Sequence, residues 1–250
     1  MPAYRAKGMV LRKTKLGEAD LILTILDESG GQVRAVAKGA RKPQSKTGAR
    51  TEPFTVIEAL LHEGRSLDIL REVETVATFD VLRGDLLRTA AASVVAEVLD
   101  KATRDAPAEP VVFELALATL EALTRAEVRA LPAVVSGFML KCMAFIGFRP
   151  VLSGCISCSS KTVSRFALAE GGVVCADCAA GSERALKVSR VVLAELRRLM
   201  SSTMEELAAS DVPAPVASDT LGICGAFASE HLGARLRSLE FFTEDVLGAG

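Results

Sequence analysis

An α+β fold is predicted by three features of this chain. Up to about residue 80, apolar residues come in short blocks with period-2 alternation, separated by glycine and charge. From Leu82 onward they recur at helical spacing. Within that second part, Cys155-Ile-Ser-Cys158 is answered by Cys175-Ala-Asp-Cys178. Together these predict a five-stranded OB-type barrel over residues 1–80. A mostly helical domain over residues 81–250 follows, with a four-cysteine zinc ribbon inserted at about 150–182.

The barrel blocks can be taken in order. Tyr4 to Lys13 carries Met9, Val10 and Leu11, and Asp20 to Asp27 carries Leu21, Leu23 and Ile25. Gly30-Gly31 signals a turn before Gln32 to Lys38. Phe54, Val56 and Leu60 alternate in the fourth block, and Leu67, Ile69 and Val73 in the fifth. Five short strands with turn-rich connections suit a small barrel. Behind them, Leu87, Ala91, Val94, Val98 and Ala102 mark a helix that ends before Pro107. Phe113 to Leu123 marks a second and Leu131 to Phe148 a third, closed by Gly147 and Pro150. Val188 to Leu199 marks a fourth, capped by Ser182 or Ser189, and Ser218 to Leu236 a last one. Lys141 and Pro132 argue that the third is a buried core helix, not a membrane span.

The two Cys-x2-Cys pairs are separated by sixteen residues, 159–174. That spacing fits a closed four-thiolate zinc site with Cys155, Cys158, Cys175 and Cys178 as ligands. Val163 to Leu168 and Val173-Val174 read as strands joined by Gly171-Gly172. Paired disulfides suit short secreted chains, and no signal peptide is visible here. A thioredoxin-like site needs one Cys-x2-Cys beside a βαβ unit. Cys142 and Cys224 are left as buried core thiols, and a reducing, cytoplasmic setting is expected.

The chain has 250 residues, half of them apolar, and a formal net charge of −1. That total selects no partner, but its distribution does. Between Ser29 and Thr51 there is no acidic residue, while Arg34, Lys38, Arg41, Lys42, Lys46 and Arg50 all fall there. Lys38 to Arg50 also holds Gly39, Pro43 and Gly48 and reads as a mobile basic loop between the third and fourth strands. Such a loop can neutralise phosphates in a sequence-independent, salt-sensitive way. Lys13 and Lys15, with Arg5, Lys7 and Arg12, would extend the patch across one face. The plainer alternative is a solvated loop that keeps the barrel soluble. Tryptophan is absent and Tyr4 is the one tyrosine, so base stacking on aromatics is not expected to dominate.

No enzyme is expected. Glu18 with Asp20, and Glu205 with Glu206, lack an accompanying constellation. His62 and His231 fall in no H-E-x-x-H pattern, and no serine sits in a G-x-S-x-G elbow. Neither Walker A nor GxGxxG occurs.

Several segments, in this order, resemble the RecO family of recombination mediators. Leu16-Gly17-Glu18-Ala19-Asp20 is similar to the family's opening strand pair. Ala37-Lys38-Gly39-Ala40-Arg41-Lys42 resembles its basic loop, Pro53-Phe54 its fourth-strand lead, and Leu67-Asp68-Ile69-Leu70 its fifth strand. Gly147-Phe148-Arg149-Pro150 resembles the approach to its zinc knuckle and Gly172-Val173-Val174-Cys175 the return. The resemblance implies binding of single- and double-stranded DNA and annealing of complementary strands. It also implies work with RecR and with the acidic C-terminal tail of single-stranded DNA-binding protein, so that RecA is loaded indirectly. It carries a DNA role to Lys38, Arg41 and Lys42, with one structural zinc and no membrane. Arg34, Lys46 and Arg50 rest on charge alone, and Arg197 and Arg198 are candidates for the tail's basic rim. The alternative is a zinc-ribbon and OB adaptor for RNA or a translation component.

Overall fold

The computed structural model describes residues 2–104 and 106–247. Five strands, β1 (Ala3–Leu16), β2 (Asp20–Asp27), β3 (Gln32–Ala37), β4 (Val56–His62) and β5 (Asp68–Ala77), close a barrel in the order β1-β2-β3-β5-β4. All neighbours are antiparallel except β3 and β5. The period-2 pattern explains the closure. Val10, Leu21, Leu23, Ile25, Ala35, Ile57, Ala59 and Leu61 fill the interior, and their neighbours along each strand face out.

The outward side is not all wet. Met9, Leu11, Leu26, Phe54 and Val56 join the same apolar core as the helices. That core lies beneath α3 (Leu86–Ala102), α4 (Pro110–Arg125), α5 (Leu131–Phe145), α6 (Arg190–Ser201) and α8 (Ala214–His231), with α5 at its centre. The residues 128–145 are long and apolar enough to span a membrane, yet they are mostly buried inside the protein. Lys141 tips its amine onto the Met200 carbonyl at 3.0 Å. At α6 the cap is Ser189, whose hydroxyl accepts from the Val192 amide.

The β2–β3 turn and its flank tie barrel to helices at two points. Gly30, at φ +85°, lets the β2–β3 turn approach so closely that a Cβ there would lie 2.0 Å from the Glu109 carbonyl oxygen. Gln32 donates to the Asp100 carbonyl at 3.1 Å near the end of α3. Farther along, Ser238 in α9 (Arg237–Glu240) donates its amide to Glu97 of α3 at 2.8 Å. Burial alone would push the Glu97 carboxyl up; hydrogen bonds from Ser238 and Arg237, with Lys101 nearby, outweigh it and hold the group below its usual range. A lowered folded pKa means the contribution is complete above the ordinary carboxylate range and fades as pH falls through the folded value. Glu97→Ala is expected to cost about 1–3 kcal/mol at neutral pH and less in acid, read by denaturant melts across pH.

Two expectations are corrected. Lys38 to Arg50 is not an unstructured loop: it is a series of turns ending in the helix α1 (Lys46–Arg50), capped by Ser45. The ribbon holds three strands, not two, ordered β7-β6-β8: β6 (Arg165–Ala167), β7 (Gly172–Val174) and β8 (Ala185–Lys187). Short α2 (Asp80–Arg83) and α7 (Met204–Ala208), single 3₁₀ turns at Val128–Ala130 and Cys178–Gly181 and a final π-helical turn at Phe241–Leu247 complete the helices among the described residues.

Candidate metal centre and nucleic-acid interface

The four ribbon cysteines converge. Their sulfurs all lie within 4.8 Å of one another, and those of Cys158 and Cys175 are 3.7 Å apart. A tetrahedron with zinc–sulfur bonds of about 2.3 Å has edges of about 3.8 Å, so the set fits one ion. The spacing is too wide for a disulfide, whose sulfurs sit about 2.05 Å apart, and all four thiols are free.

Two matching knuckles bring them together. Ser159 donates its amide to the Cys155 carbonyl at 2.9 Å, and Ala179 does the same to Cys175 at 3.0 Å. Ile156 donates to the Val173 carbonyl at 3.0 Å, which holds the first knuckle beside β7. Backbone hydrogen bonds, that from Cys175 first, draw the Cys155 thiol down to about 6, while neighbouring sulfurs, Cys175 first, push the Cys178 thiol up to about 12. Thiols crowded this way ionise together only around a cation. Behind them Phe166 packs edge-on against Phe227 of α8 at 5.4 Å, and His231 meets the Leu168 carbonyl at 3.0 Å. The ribbon is thus mounted on the helical core. Cys142 and Cys224 are elsewhere, fully buried, and burial raises both thiols.

The second candidate lies on the barrel. Ala40 is buried and plugs one barrel end, leaving Lys38, Arg41 and Lys42 exposed around it. The turn is docked on the β1–β2 connection. Gly39 donates to Asp20 at 2.7 Å, and Arg41 donates its amide to the Ala19 carbonyl and its guanidinium to the Gly17 carbonyl. Among the described residues, none of Arg34, Lys38, Arg41, Lys42 and Lys46 forms an ion pair. Arg50 is exposed but hydrogen-bonds the Val73 carbonyl at 2.9 Å, pinning α1 to β5.

The basic residues of β1 do not share one face. A bulge between Val10 and Arg12 shifts the register. Past it, Lys13 and Lys15 stand opposite Leu23 and Leu21, whose side chains point into the barrel. Lys13 is half-buried and paired with Glu52 at 2.5 Å; Lys15 is exposed. Arg12, opposite Thr24, lies instead on the outer face with Arg34, which is also opposite Thr24. Arg12 is the hardest to place from sequence, because the bulge that turns it outward leaves no mark in the residue pattern.

One carboxylate of each acid pair serves structure. Asp20 holds Gly39, as above, and Glu206 closes a capping box with Thr203 at the start of α7. Of the two arginines considered for a tail site, Arg197 is bonded to the Leu152 carbonyl at 2.9 and 2.6 Å, and Arg198 makes a two-pronged pair with Glu195.

Comparison with known families decides the lineage. The family model for the Recombination protein O N terminal matches residues 1–79, and that for the Recombination protein O C terminal matches residues 83–240. The chain belongs to the RecO family. Proteins similar to it carry the name DNA repair protein RecO. One from Anaeromyxobacter sp. (strain K) is 35% identical over 256 residues, covering 100% of both chains. Another, from Symbiobacterium thermophilum, is 32% identical over 246 residues, 96% of this chain and 97% of its own. A third, from Bifidobacterium longum (strain NCC 2705), is 38% identical over 177 residues, 70% of this chain and 74% of its own. In this RecO-family chain the two matched segments take in the closed barrel, the helical body and the four-sulfur cluster, and Lys38, Arg41 and Lys42 sit on the barrel part.

Proposed function

We propose that this RecO-family protein is a non-enzymatic DNA-binding mediator of recombinational repair in the cytoplasm, at the nucleoid. It anneals complementary single strands and, with RecR, helps load RecA onto DNA coated with single-stranded DNA-binding protein. One observation carries the reading: a chain with net charge −1 concentrates on one barrel turn exposed cations that form no ion pair among the described residues. Lys38, Arg41 and Lys42 are the principal phosphate contacts, flanked by Arg34 and Lys46. Arg50, Lys13 and Lys15 contribute less, since the first two already have protein partners.

Phosphates neutralised on this turn release condensed counterions, which gives affinity without sequence preference. Two strands held on one cationic surface repel each other less, and base pairing between them then supplies the specificity. In the helical part, Cys155, Cys158, Cys175 and Cys178 are suited to hold one zinc ion. Closed by four thiolates, it would cross-link the two knuckles and leave no position for a substrate. Family membership weighs against the RNA or translation adaptor.

The test is an annealing assay with complementary fluorescent oligonucleotides and no nucleotide added. The protein is expected to speed pairing well above the spontaneous rate, and adding salt should suppress the effect. Pairing no faster than in buffer, or tighter binding to RNA than to DNA of the same sequence, would overturn the proposal.

A further inference from the structure

Between the barrel and the helical body lies a cleft of about 970 Å³. One wall is β1 and the segment 52–54; the other is α3 with the start of α9. Seven cationic side chains line it against three carboxylates, and with Arg83 and Arg235 paired to Asp80 and Glu240 just outside the lining a surplus of two remains on a chain whose total is −1. Each carboxylate is already engaged. Glu52 meets Lys13, Asp100 meets Arg12 and Arg104 at 3.2 and 3.7 Å, and Glu97 meets Lys101 and Ser238. Arg237 is exposed and forms no ion pair among the described residues.

The cleft is continuous with the barrel face. Arg12 belongs to both, because across β2 it shares the outer surface with Arg34 through their common neighbour Thr24. Two strand spacings separate Arg12 from Arg34, about 10 Å. Past Arg34, β3 runs on to the turn bearing Lys38 and Arg41. A track of positive charge thus leads from that turn, over the outer barrel, into the cleft.

We infer that a single DNA strand bound on the barrel turn continues into this cleft past Lys101, where Arg237 holds one phosphate and Arg12 and Arg104, two guanidinium groups sharing the one carboxylate of Asp100, hold another. The helical body is then part of the DNA site. This rests on the reading of the barrel as a DNA face. The one aromatic side chain lining the cleft, Phe54, is buried, so the contacts there are to the backbone and independent of base identity.

The full chain carrying Arg104→Ala and Arg237→Ala is titrated with oligo-dT from low to high salt, beside the parent. Two lost phosphate contacts on a single strand lower the slope of log affinity against log salt by about 1.4. Restoring charge with Arg104→Lys and Arg237→Lys returns the slope. A slope equal to the parent's, with an unchanged melting temperature, overturns the cleft. A parent that fails to bind oligo-dT overturns the barrel reading itself, so the two failures are distinct. Should the alanine variant melt early, the parent chain alone decides: oligo-dT is expected to shield both Lys38 and Lys101 from an acetylating reagent. Shielding of Lys38 without Lys101 refutes the inference.

Discussion

Cys178→Ser is expected to take the protein from about one zinc per chain to none and to lower its melting temperature. The four sulfurs close a single site, so losing one ligand opens a structural centre that has no substitute donor among the described residues. The knuckle around Cys175 and Cys178 would then rely on one short hydrogen-bonded turn. A loss of about 3 kcal/mol in a domain of this size lowers the midpoint by roughly 6–12 °C. Cys155→Ser should behave alike, whereas Cys142→Ala, deep in α5, should keep its metal. Elemental analysis of the purified variants, with thermal melts on the same samples, reads both effects. Because the thiols must be deprotonated to bind, retention of the ion should weaken as pH falls. A parent chain free of metal, or a Cys178→Ser variant as stable as the parent, would refute the assignment.

Lys38→Ala, Arg41→Ala and Lys42→Ala combined should flatten the salt dependence of single-strand binding. Three phosphate contacts lower the slope by about 2, so between 50 and 200 mM salt the parent should lose roughly 20-fold more affinity than the variant. Lys13→Ala is the useful contrast, since its charge is already met by Glu52 at 2.5 Å. Arg50→Ala should act on stability instead, through the lost bond to Val73. Oligonucleotide titrations at several salt concentrations distinguish these effects. An unchanged slope in the triple variant moves the interface away from this turn.

The barrel is legible in the sequence because its physics is local. Leu21, Leu23 and Ile25 alternate so cleanly that β2 falls at Asp20–Asp27, the predicted limits. The cysteine spacing is equally direct, since two knuckles of fixed length need only a return strand to meet. What the residue pattern does not reveal depends on contacts far apart in sequence. The helix α1 is held by Ser45 at its start and by Arg50 reaching β5, so its composition alone reads as a loop. The short β8 exists because Ala185 to Lys187 can pair with β6, and nothing in three residues announces that. Plain alternation along β1 would turn Arg12 inward with Val10, and Lys13 outward, and the bulge exchanges the two without altering composition. The cleft cations are the least visible. Lys101 lies at the end of one helix, Arg104 just past it, and Arg237 begins another, and only the folded chain sets them side by side.

The apolar core shared by barrel and helices has a mechanical consequence. Met9, Leu11, Leu26, Phe54 and Val56 are sealed beneath the helical body, so bending the two parts apart would expose them to water. A tug on the barrel turn is therefore passed to the helices as to the far end of a rigid lever. Swapping the barrel for that of a distant relative would require the greasy seam on the opposite side to change with it.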